Sequence, residues 1–195
     1  MGLGDLDGGG GVGTQVYSGY DQWSVSGALM HRFTQGRLDG SWVKLAVLAT
    51  SIDDAGRTDK LFDRGSLQLY DNKDVLTWGR LHLDLDRIST SADLTLSFQH
   101  FYELKDALSM NPDLVTWTSA TRDETEVLTM GVDLAMSTGI LGGRMWFNYG
   151  GMWYHDGVHA ERHERTADTS WESQLDVAYP DGSSYSNYGL YALVG

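Results

Sequence analysis

Residues 125–155 read TEVLTMGVDLAMSTGILGGRMWFNYGGMWYH, and this stretch decides the fold. Side chains on a strand alternate between two faces. In the first arm Leu128, Met130, Val132, Leu134 and Met136 therefore share one face, while Thr129, Gly131, Asp133, Ala135 and Ser137 share the other. TGILGG supplies a turn, and in the returning arm Met145, Phe147, Tyr149 and Trp153 stand opposite Arg144, Asn148 and Gly150. The pattern predicts a β-hairpin with one apolar and one polar face. Its apolar face is long and ends in aromatic rings, which suits a bilayer as well as a soluble core.

The same period recurs on both sides of the hairpin. DQWSVSGALMHRF sets Trp23, Val25, Leu29 and Phe33 against Ser24, Ser26, Ala28 and Arg32, and SWVKLAVLATS returns with Val43, Leu45, Val47 and Ala49 on the apolar side. DVLTWGRLHLDLD gives the cleanest alternation, Leu81, Leu83 and Leu85 against Arg80, His82, Asp84 and Asp86. SADLTLSFQHFY follows with Ala92, Leu94, Leu96 and Phe98, and SYSNYGLYALVG closes with Tyr188, Leu190, Ala192 and Val194. Tight connections are expected after the first, third and fifth strands. After the second, fourth and sixth come irregular segments, 52–73, 105–122 and 156–182, far above the usual loop of about 4–6 residues. Such an alternation of short and long belongs to barrels with tight periplasmic turns and long extracellular loops. The chain thus reads as all-β, a portion of an antiparallel transmembrane β-barrel with about seven meandering strands.

Composition agrees. Among 195 residues glycine is abundant (24) and proline scarce (2), while 10 tyrosines and 7 tryptophans favour strands over helices. A formal charge of −13 disfavours nucleic-acid binding, which needs cations to neutralise phosphates. With no cysteine there is no disulfide framework and no thiolate metal site. No run of about eighteen apolar residues predicts a membrane helix. The opening MGLGDLDGGGGVG has neither the basic nor the apolar region of an export signal. It also lacks the flanking strand, Lys-Ser/Thr and helix of a phosphate loop, and reads as flexible loop.

Candidate sites are few. His155, His159 and His163 recur at every fourth residue of HDGVHAERH, which aligns them on a helix, and imidazole is a common ligand of transition metals and haem iron. Gly157 inside the run argues against a helix, and solvated surface histidines are the blander account. Glu161 and Glu164 are placed to pair with Arg162 and Arg165. Asp84, Asp86 and Asp93 cluster about a short turn, as an acid–base pair or Ca²⁺ site would. Pairing with Arg80, Arg87 or a domain filling the barrel is the plainer reading. Trp78, Trp146, Trp153 and Tyr154 are candidates to stack on a ligand, or simply to form an interfacial girdle. No nucleophile–base–orienter set can be assembled, so no enzyme and no resident cofactor is expected.

AGRTDKLFDRG, ATRDETEVLTMGVDL, MWYHDGVHAERH and YPDGSSYSNYGLYA resemble the middle of the barrel of TonB-dependent outer-membrane receptors. The likeness covers most of the chain and is made of strand-like similarity, without an invariant signature. It implies a 22-stranded barrel in the outer membrane of a Gram-negative bacterium, filled by a plug domain. The substrate would be a small molecule or metal chelate such as a ferric siderophore, haem or cobalamin, taken up with energy passed on through TonB. Residues 1–195 would be part of that barrel. Signal peptide, plug and TonB-contacting segment are expected upstream, and further strands downstream. The partners implied are substrate, plug, TonB and outer-membrane lipid, with no nucleic acid. The alternatives are a passive porin-like barrel or barrel enzyme, and a soluble carbohydrate-binding β-sandwich.

Overall fold

A computed structural model describes residues 19–57, 59–61, 65–85, 90–113, 116–174 and 179–195. They form a single antiparallel sheet of eight strands, all-β as expected. The strands are β1 (Asp21–Arg32), β2 (Trp42–Gly56), β3 (Ser66–Leu85), β4 (Thr90–Met110), β5 (Trp117–Ile140), β6 (Met145–Thr166), β7 (Glu172–Gln174) and β8 (Ser183–Val194). From β1 to β6 each strand pairs with the next. β6 then divides its free edge: Phe147 to Val158 pair with β8, and Arg162 to Glu164 with β7. The short β7 is the strand the sequence did not announce.

Register joins the separate apolar rows into one surface. Leu29, Leu45, Gly79, Leu96, Val132, Trp153 and Tyr188 lie side by side, and below them His31, Val43, Leu81, Leu94, Leu134, Gly151 and Leu190. Along β3 this apolar surface runs from Val75 to Leu85, about ten steps of roughly 3.4 Å. At the usual barrel tilt that is close to the ~25 Å apolar band of a membrane barrel.

Among the described residues nothing packs on this surface. Leu190 is 92 % exposed, Leu29 72 % and Leu45 56 %. The few buried apolar side chains among the described residues sit at the other end of the strands, including Leu67 and Ala120 at 3 %. A sandwich buries the apolar faces of two sheets against each other. Here one sheet stands alone among the described residues, with an uncovered apolar face.

The long irregular segments require correction. β2 continues to Gly56, β3 begins at Ser66, β4 reaches Met110, β5 begins at Trp117 and β6 reaches Thr166, so most of 52–73, 105–122 and 156–166 is strand. The connections that remain are 57–65, 111–116 and 167–182, the last interrupted by β7, and at the opposite end 33–41 is as long as the first of them. The two ends differ less in loop length than in how far the strands overrun the apolar band. Alternation announces a strand only when one face is apolar. With both faces wet the pattern disappears, and cross-strand charge pairs hold the ladder instead. One irregularity is local: at a bulge between Ile52 and Ala55, Asp54 takes φ 59°, and its N–H donates to Asp71 Oδ1 at 2.7 Å.

Candidate functional site

On the polar face the rows above the band build a cavity of about 420 Å³, within the range of small-molecule sites. Phe101 (β4), Val127 (β5) and Val158 (β6) occupy one register row and form its apolar floor. One row nearer the band lie Asp156 and its β8 partner Tyr185, and one row farther from it Glu103 and Thr125. Beyond them Lys105 and Asp123 complete the strand-borne wall, and Tyr179 reaches in from the connection before β8. Alternate residues of four strands thus converge on one space because period two points them all to the same face.

Charge within the cavity is ordered by a ladder across β4, β5 and β6. Asp123 accepts from Arg162 Nε at 2.5 Å and Nη2 at 3.0 Å, and from Lys105 Nζ at 3.2 Å. Burial by itself pushes the Asp123 carboxyl up, but the hydrogen bonds and charges of Arg162 and Lys105 overrule it and hold the group below its ordinary value. Asp156 accepts from Thr129 Oγ1 at 2.7 Å.

The three histidines lie on strand β6, not on a helix. Four strand residues span roughly 13 Å, so one ion cannot take all three. All three find partners on the apolar side of the sheet, and His159 and His163 share one of them. His155 Nδ1 is 2.9 Å from Ser186 Oγ, and its ring stacks on Trp153 at 6.0 Å. His159 reaches Asp181 at 2.5 Å and Glu161 at 3.3 Å, while His163 meets the other Glu161 oxygen at 3.2 Å. The Asp181 hydrogen bond and negative charge raise the His159 pKa above its ordinary value, and the same bond lowers that of Asp181. Among the described residues no three His, Cys, Asp or Glu side chains are grouped to hold a metal ion.

The turn aspartates divide. Asp93 accepts from Arg80 Nε at 3.0 Å and sits 3.0 Å from His82 Nδ1, as the pairing with Arg80 anticipated. Asp84 instead offers its backbone N–H to Ser41 Oγ. Asp86, Arg87 and the glycine-rich 4–13 lie outside the described residues. Of the aromatic candidates, Trp153 lies on the apolar face. Trp78 carries the Lys44 ammonium 5.1 Å from its centroid, and Tyr154 is paired across the strands with Gly131. None of the four lines the cavity. The rings that do, Phe101, Tyr179 and Tyr185, carry no sequence signal beyond their type. Arg162 pairs across the strands with Asp123, whereas Glu161 bridges two histidines of its own strand.

Compared with known protein families, with characterised proteins and with solved structures, the chain has no match.

Proposed function

We propose that this chain is part of the wall of an outer-membrane transport barrel of the TonB-dependent receptor kind. It holds a scarce nutrient against the inner face and passes it inward without making or breaking a bond. The observation that carries this reading is the uncovered apolar face, confined to a band of bilayer thickness, on a sheet whose other face carries most of the polar and charged side chains of the strands within that band. On this reading the apolar face meets lipid and the polar face lines the lumen. The overrunning strands stand outside the membrane, and the aromatic cavity opens toward them. The lower lumen face, where Arg80 and His82 meet Asp93 beside Trp42, is the polar surface on which a plug linked to TonB would rest. The resemblance of the quoted segments supports a receptor over a passive pore.

The absence of cysteine makes single-cysteine labelling clean. Leu96→Cys, Thr95→Cys and Glu124→Cys, each carrying a fluorophore, are reconstituted in vesicles whose acyl chains are brominated at mid-depth. Quenching at position 96 alone is expected. Equal quenching at 95 and 96, or none at 96, would remove the wall reading.

A further inference from the structure

We infer that the cavity above the band selects a positively charged solute, an organic ammonium small enough to sit among its rings, and rejects anionic chelates. The inference rests on the proposed function only in taking this face as the lumen.

Three aromatic side chains, Phe101, Tyr179 and Tyr185, border the same space. Ring faces carry negative quadrupole potential, and rings grouped about a cavity are the usual recognition device for ammonium groups. The charges point the same way. Of the ionisable side chains at the wall, Lys105 is the only base among the described residues, and it is turned to Asp123, which Arg162 also occupies. With Arg162 included, three carboxylates, Glu103, Asp123 and Asp156, stand against two bases, so the wall keeps a net negative charge. Among the described residues Glu103 has no ion-pair partner, and Asp156 has only the Thr129 hydroxyl as a side-chain hydrogen-bond donor. Two carboxylates beside three rings leave a region of negative potential that no ion pair among the described residues satisfies. A neutral ligand would desolvate those carboxylates without compensation, and an anion would be repelled. A cation gains from both the rings and the carboxylates.

The matched probes are choline and 3,3-dimethylbutan-1-ol, the same shape with and without the charge, with phenyl phosphate as the anionic comparison. Binding is measured by calorimetry on the protein reconstituted in vesicles. Choline is expected to bind about tenfold or more tighter than the alcohol, and phenyl phosphate not to bind. Tyr185→Leu and Glu103→Gln should each weaken choline about three- to thirtyfold, Tyr185→Phe should retain it, and Lys105→Met should strengthen it. Equal binding of choline and the alcohol, tighter binding of phenyl phosphate, or choline affinity unchanged in Tyr185→Leu would overturn the inference. Lipid quenching at position 96 is read on the same vesicles. If it holds while choline fails, the ligand inference alone falls, whereas loss of the quenching removes the wall itself.

Discussion

Asp123 on β5 grips Arg162 on β6 through two hydrogen bonds, Nε at 2.5 Å and Nη2 at 3.0 Å, and so fastens two strands well beyond the apolar band. Both side chains are about four-fifths shielded from solvent. Because the folded Asp123 carboxyl lies below its ordinary value, its stabilisation is present above the unfolded carboxylate value and is lost as pH falls through the folded one. Asp123→Asn should lower stability by about 1–2 kcal/mol at neutral pH. The effect should shrink in acid, as read from urea midpoints of the protein in bilayers at several pH values.

A second prediction concerns His159 and Asp181, whose contact clasps the turn before β8 to β6 near Tyr179. Glu161 beside it on β6 and Glu126 opposite on β5 add negative charge that favours the imidazolium. The raised His159 value means that the clasp is complete below about 6.5 and is lost as pH rises through the folded value. Asp181, shifted down, limits it only in strong acid. The amide of Gly182, which donates to Val158 O at 3.0 Å, should therefore lose hydrogen-exchange protection as pH rises, after correction for the intrinsic rate. His159→Gln should flatten that dependence, and an unchanged slope would refute the clasp.

Depth should govern tolerance on β4. Leu96 lies near the middle of the apolar band, Ala92 near its lower margin, and Thr95 on the polar face. Leu96→Arg should cost about 2–4 kcal/mol, Ala92→Arg less, and Thr95→Arg close to nothing. Folded yield in bilayers, followed by heat-modified gel mobility, ranks the three. A flat ranking contradicts the band.

Glycines should separate by what covers them. A Cβ at Gly131 would meet Tyr154 Cε1 at 2.5 Å, whereas nothing lies within 4 Å of one at Gly157. Gly131→Ala should therefore destabilise by about 1–3 kcal/mol through overpacking. Gly157→Ala should be tolerated, and unfolding monitored by tryptophan fluorescence compares them. Equal costs would show that the Tyr154 ring yields freely.

By itself the sequence determined the all-β class, the six long strands within the band and β8, and which side chains share each face. Leu81, Leu83 and Leu85 and their counterparts in the other strands stand where alternation put them, because period two is a local property of an extended chain with one apolar side. Tertiary structure decided the rest. Past the band polar residues fall on both faces and break the alternation, so the extensions of β3 to β6 and the short β7 left no local mark. Their reality lies in cross-strand pairs such as Arg122 with Asp106 and Arg162 with Asp123. The cavity was hidden for the same reason. Phe101, Asp156 and Tyr185 become neighbours only through register across β4, β5, β6 and β8. The histidines that looked adjacent on a helical period are held apart by the rise of a strand.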